Sequence, residues 1–229
     1  MAMIESEMRA TGFERSGVWL YLDEVMHRVL NDYTAMLSTV RLASLRVGDS
    51  ESSEALDEVT SRLNASASAF RALSPPADRS PRFLDEELEA LCASLSVSNL
   101  AGKGIRLTFA ADPVRVSAQR CWKILLIVSE LITNAVRHAF LGRESGAIVV
   151  RLSTHANMLH CMVIDDGSAS ARVVPGRGSA ILNGIAAELD GTIMRKHTAE
   201  GSAVVLQVPI AEHGAHSLQL ICGDHREQH

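Results

Sequence analysis

The chain has 229 residues, with 22 Lys+Arg against 27 Asp+Glu and a formal net charge of −5. Its 47% hydrophobic content excludes wholesale disorder, and the acidic balance argues against nonspecific nucleic-acid binding, which needs a positive surface. No apolar run approaches the roughly 20 residues that cross a bilayer; the run Ile124–Val128 stops at Ser129 and Glu130. The N-terminus carries Glu5, Glu7 and Glu14 and has no basic-then-apolar leader pattern. Cys92, Cys121, Cys161 and Cys222 are scattered without CxxC spacing, which reads as reduced thiols in a cytoplasmic protein. With aromatics at 4%, the core has to be built from Ala, Leu, Val and Ile.

Spacings of three and four along Val18, Leu22, Val25, Val29, Tyr33, Met36, Val40, Ala43 and Val47 predict one long helix. A break at Gly48-Asp49-Ser50 follows, and Ser52 or Ser53 is expected to cap a second helix that runs to about Leu73. Ser74-Pro75-Pro76 ends it, because proline cannot continue the ladder. Residues 14–76 therefore form a helical hairpin. Two amphipathic helices cannot bury both faces alone, so a homodimeric four-helix bundle is expected.

Residues 77–82 read as a linker. Beyond it the pattern becomes mixed. Helices are predicted at Leu84–Leu95, Ala118–Phe140 and Ser179–Leu189. Strands are predicted at Ile105–Phe109, Ala147–Leu152, Met158–Ile164, Thr192–Arg195 and Ala203–Pro209. Helices and antiparallel strands in this order predict an α/β sandwich over 83–210, with one sheet face covered. The fold class is thus α+β, a helical hairpin followed by a sandwich domain. Residues 211–229 carry His213, His216, His225 and His229 without a period, and read as a tail rather than a metal site.

Three segments carry chemistry. On the first helix His27 lies away from the apolar seam and shares a stripe with Asp23, Asn31 and Thr34. A neutral imidazole there, oriented by Asp23 or Glu24, is a competent nucleophile toward a phosphoryl group, although an isolated surface histidine is usually just solvated. On the long apolar helix Glu130, Asn134 and His138 recur at i, i+4, i+8 as one polar ridge. Such a ridge is expensive to bury unless it lines a cavity. An Asn carbonyl suits Mg²⁺, and Arg137 and His138 offer charge to phosphates. The third segment has two pieces: Asp165-Asp166-Gly167 ends a strand, and Gly176-Arg177-Gly178-Ser179 opens a helix whose N-terminus suits phosphate. Either piece alone is better explained by an ordinary turn.

In this order the segments resemble the transmitter core of a bacterial two-component sensor histidine kinase. His27-Arg28-Val29-Leu30-Asn31 resembles the phosphoacceptor box of the HWE-type subgroup, and Glu130 to His138 with Ala139-Phe140 resembles the N box of the GHKL (Bergerat) ATPase fold. Asp165-Asp166-Gly167 resembles the G1 box and Gly176-Arg177-Gly178-Ser179 the G2 box. The likeness covers about residues 20–210. It implies His27 as phosphoacceptor, Asn134 on Mg²⁺ beside the triphosphate, and Glu130 orienting water or metal ligands. It further implies Asp165 accepting from the adenine amino group, Gly167 allowing close approach, and Gly176 and Gly178 closing a loop over the phosphates of ATP.

The implied function is ATP-dependent autophosphorylation on His27, then transfer to an aspartate of a response-regulator receiver domain. Two alternatives stand beside it. Ala169 replaces the second glycine of the G1 pattern and the stretch 168–175 is short for a lid, which fits a histidine phosphotransferase with a degenerate ATPase-like domain. A response-regulator phosphatase with Asn31 orienting water is the other. Leu30 and Asp32 also depart from the acceptor-box pattern. About twenty residues precede the first helix, too few for a sensor module, so either a separate sensor protein supplies the signal or the chain has no sensory role of its own; no nucleic-acid partner and no membrane insertion are expected.

Overall fold

The computed structural model describes residues 17–47, 49–168, 177–198 and 200–210. The chain divides into two compact units after Pro75. Among the described residues no helix is long and apolar enough to cross a membrane.

The first unit is a pair of helices, α1 (Gly17–Ser44) and α2 (Ser50–Ala72). Along α1, Val25, Val29, Tyr33, Leu37, Val40 and Ala43 are half-buried, whereas His27, Asn31 and Thr34 are exposed. Met36, expected on the seam, is 51% exposed; Leu37, one helical step after Tyr33, takes that place. The α1 seam meets α2 through Tyr33 and Phe70, whose ring centroids lie 6.4 Å apart. Ala67 and Ala69 are the buried residues of α2. The expected cap is corrected: Asp49, not Ser52 or Ser53, caps α2. Its extended backbone (φ −108, ψ 151) aims the carboxylate at the Ser52 N–H, which donates to Asp49 Oδ1 at 2.7 Å. A carboxylate three residues before that donor satisfies one of the orphan N–H groups and complements the helix dipole.

In the second unit β1 (Arg82–Phe83) pairs antiparallel with β3 (Arg115–Val116), so Arg82 closes the expected linker as strand. The remaining elements are α3 (Leu84–Leu95), a π-helical turn at Ser96–Leu100, β2 (Ile105–Ala111), α4 (Ala118–His138), β4 (Gly146–His155), β5 (Met158–Asp165), α5 (Arg177–Ala187), β6 (Thr192–Thr198) and β7 (Gly201–Pro209). The main sheet has the order β2-β4-β5-β7-β6. The expectation of antiparallel strands needs one correction: β2 and β4 run parallel. They are separated by α4, and a crossover of that length returns the chain in the same direction. The other neighbours are antiparallel. Ala156 and Asn157, both at positive φ, make the tight β4–β5 turn.

Helices cover one face of this sheet. α3 packs on α4 and β2, α4 on β5, and α5 on α4 and β6. Burial alternates along β5: Leu159, Cys161, Val163 and Asp165 lie under the helices, while Met158, His160, Met162 and Ile164 lie on the other face. The core is aliphatic, with Leu84, Leu88, Leu91, Ile124, Ile127, Ile132, Ile148 and Leu206 fully buried. Arg120, buried in the first turn of α4, donates through Nη2 to the carbonyls of Pro209 and Leu189 and so fastens α4 to the ends of β7 and α5. Lys123 and Glu188 repeat that link with an ion pair at 2.8 Å.

Candidate functional site

The site grows from α4. Its apolar residues are buried on the sheet and against α3 and α5, which leaves the Glu130, Asn134 and His138 stripe at the margin of the core. All three line a cavity of about 340 Å³ inside the second unit. That volume lies in the range of small-molecule sites. Leu131, Ala135, Ala139, Val163, Leu182 and Val204 supply its apolar wall, and Asp165 lines it as well.

Asp165 is the last residue of β5 and only 7% exposed. Its Oδ1 accepts from the Gly167 N–H at 3.1 Å and its Oδ2 accepts from the Ser202 hydroxyl. The Ser202 contact follows from strand register, because Asp165 and Ser202 face each other across β5 and β7. That approach needs Gly201. Its φ is +141, and a Cβ there would sit 2.0 Å from the Asp165 carbonyl oxygen.

Gly167 is required for a different close approach. A Cβ at this position would lie 2.3 Å from the Ala139 carbonyl oxygen and 2.4 Å from the Ala139 Cβ. The strand exit is thereby pressed on the C-terminal end of α4, where the Ser168 N–H donates to the Ala139 carbonyl at 2.9 Å. Asp166 Oδ1 accepts from the Ala147 N–H at 2.8 Å, and Arg143 donates to the Asp166 carbonyl. The N-terminus of α5 comes against Glu130: a Cβ on Gly178 would be 3.6 Å from Glu130 Oε1.

The structure therefore brings Glu130, Asn134, His138, Asp165 and Gly178 around one cavity. Gly167 stands behind Asp165 rather than among the lining residues, and Arg137 is exposed outside the lining. Gly176, Ala169 and the lid stretch up to Pro175 lie outside the described residues, as do residues 211–229. His27 is exposed on α1, and the nearby Glu24 carboxylate is engaged by Arg28 Nε at 2.8 Å. No group of three or more His, Cys, Asp or Glu suited to a metal ion occurs among the described residues. Sequence reasoning missed Ser202, Arg195 and His197, which line the cavity from β6 and β7. Arg195 Nη1 donates to Asn183 Oδ1 at 3.4 Å, and partial burial lowers the pKa of its guanidinium. The only local signal for any of these was the Gly201-Ser202 pair opening a strand.

A helix-covered mixed sheet, with a carboxylate and a helix N-terminus both bordering its cavity, is the build of an ATPase-like domain; here it follows a helical hairpin with an exposed histidine. Comparison with known proteins agrees. Residues 24–99 match the family profile described as "Histidine kinase", and residues 103–208 match "Histidine kinase-like ATPase domain". The chain belongs to the histidine kinase family. It is 29% identical to the sensor histidine kinase PdtaS of Mycobacterium tuberculosis over 199 residues, which is 83% of this chain and 40% of that protein. It is 27% identical to blue-light-activated histidine kinase 2 of Erythrobacter litoralis over 225 residues, 93% of this chain and 62% of that one. The chain thus spans 40% of the length of the mycobacterial relative. The fold is shared with the histidine kinase domain of Erythrobacter litoralis EL346, with a TM-score of 0.55, 23% identity, and coverage of 83% of this chain and 93% of that one.

Proposed function

We propose that the chain is an ATP-dependent protein-histidine kinase that phosphorylates His27 and passes the phosphoryl group to an aspartate of a response-regulator receiver domain. The observation that carries this reading is that Asp165 and the Glu130–Asn134–His138 ridge border one cavity of nucleotide-compatible size. Asp165 is positioned to accept from an adenine amino group, with Ser202 fixing its second oxygen. The apolar wall receives the base, and the α5 N-terminus and His138 favour the phosphate end. Asn134 and Glu130 are hard oxygen donors. Two protein oxygens suit Mg²⁺, which keeps waters and takes further ligands from phosphates rather than from a protein cage. Mg²⁺-ATP, when bound, supplies a γ-phosphoryl group with its charge partly neutralised.

In the transfer, a His27 ring nitrogen attacks phosphorus in line as the bond to the bridging oxygen breaks, leaving ADP. Exposure of His27 on α1 suits an acceptor that must be presented to a donor and then to a second protein. The residues act by positioning and charge. Met36, Leu42 and Val59 remain exposed on the hairpin, which supports a homodimer whose second hairpin covers them.

Incubation with γ-labelled ATP and Mg²⁺ is expected to label the wild type and not His27→Ala, while Asp165→Asn weakens nucleotide binding about tenfold or more, in line with loss of a charge-assisted hydrogen bond. An unlabelled wild type sinks the kinase reading. If nucleotide also fails to raise the melting temperature, yet a phosphorylated receiver labels His27, the protein is a phosphotransferase instead.

A further inference from the structure

The sheet face turned away from the helices has its own chemistry. In register across four strands, Val149 opposes Ile164, and Met162 opposes Val205, which in turn opposes Met194. These five make a continuous apolar centre; Met194 is 50% exposed and the others are half-buried. Around it, on the same face by strand alternation, stand Arg106, Arg151 and Lys196, all exposed. No Asp or Glu occupies a strand position of this face, and none of the three cations is in an ion pair among the described residues. Such a patch, apolar at the centre and cationic at the rim, is unlike an ordinary solvated sheet face.

We propose that this face is the docking surface of the chain's own segment 211–229, whose Leu218, Leu220 and Ile221 cover the apolar centre while Glu212, Asp224 and Glu227 meet the cations. Three observations select this occupant. The segment has the complementary pattern, an apolar core flanked by acids. The chain also leaves β7 at the border of the face: Pro209 pairs with Met158, and the Ile210 N–H donates to the Asn157 carbonyl at 3.0 Å. From Pro209 to the Val205 row is about 14 Å along a strand, whereas residues 211–218 extended reach roughly 26 Å. Finally, a second copy would set the three cations against the same three cations, which argues against self-association here.

The test uses the full chain with a cysteine at Met162→Cys or, separately, Met194→Cys, and a short bis-maleimide as the probe. Cys222 lies in the segment, and Cys92, Cys121 and Cys161 are buried. A link from position 162 or 194 to Cys222 within one chain is read by peptide mass spectrometry. Ile181→Cys, exposed on α5 across the sheet, is the control. The link is expected to form at least about tenfold faster at 162 and 194 than at 181, independent of dilution, because tethering supplies the local concentration. Adding Arg106→Glu and Arg151→Glu is expected to slow it several-fold. Equal rates at all three positions would overturn the proposal. A link that forms between chains and fades on dilution assigns the face to a second copy. Sedimentation of the wild type with phosphatidylglycerol vesicles, without excess linking, assigns it to a lipid surface. A rate untouched by the charge reversal removes the complementarity and with it the assignment.

Discussion

Two glycines set the geometry of the candidate site by excluding a Cβ. At Gly167 the excluded atom would collide with Ala139; at Gly201 it would strike the backbone of Asp165 itself. The second collision is with a backbone carbonyl at the paired end of β5, so no side-chain rotation relieves it. Gly201→Ala is therefore expected to destabilise the second unit by about 2 kcal/mol or more, measured by denaturant unfolding. A change below 0.5 kcal/mol would show that β7 can move aside. Ser202→Ala separates the two roles of this corner. It removes one hydrogen bond and is expected to cost only about 1 kcal/mol of stability, while loosening the Asp165 carboxylate that the nucleotide is proposed to meet.

Among the elements, α4 does most to place the site. One helix gives the core Ile124, Ile127, Val128 and Ile132 and gives the cavity Glu130, Asn134 and His138. Ile132 is fully buried, so Ile132→Ala is expected to cost about 2–5 kcal/mol; a loss well under 1 kcal/mol in thermal unfolding would mean the site helix is not anchored by its core face. This dual use is why the ridge was legible in the sequence: three polar residues on one stripe of an apolar helix stand out by period alone. The helices of the hairpin were legible for the same reason. Ser202, Arg195 and His197 were not, because they reach the cavity through strand register, and the Asp165–Ser202 contact joins residues 37 apart. The β1–β3 pair and the π-helical turn are too short to have a period. The α2 cap was misplaced because Asp49, Ser50, Ser52 and Ser53 are all capping residue types, and only the backbone conformation at Asp49 chooses among them.

At the scale of the molecule, the second unit buries three thiols. Burial is the main cause that pushes Cys92, Cys121 and Cys161 up to about 12 from an ordinary value of 9.0. The folded chain keeps these protons where the unfolded chain releases them, so the thiols' contribution to stability is constant below about pH 9 and falls as pH rises from about 9 toward 12. A denaturant series over that window checks it; flat stability would contradict the burial of all three. At pH 8 the same thiols are expected to resist an aromatic disulfide reagent until the chain unfolds.

The strand order has a consequence in time. β4 and β5 are joined by a two-residue turn and β6 and β7 by a short one, and such hairpins close in microseconds. The seam between them, β5 with β7, has to wait until the intervening residues and α5 have been gathered in, since distant pairings carry a larger loop-closure entropy. That seam is where Asp165 meets Ser202. In pulsed hydrogen exchange during refolding, amides of the β4–β5 ladder should gain protection before those of the β5–β7 ladder. The candidate pocket is then completed only after both flanking hairpins have closed, and competence to bind ligand becomes a late event in the maturation of this domain.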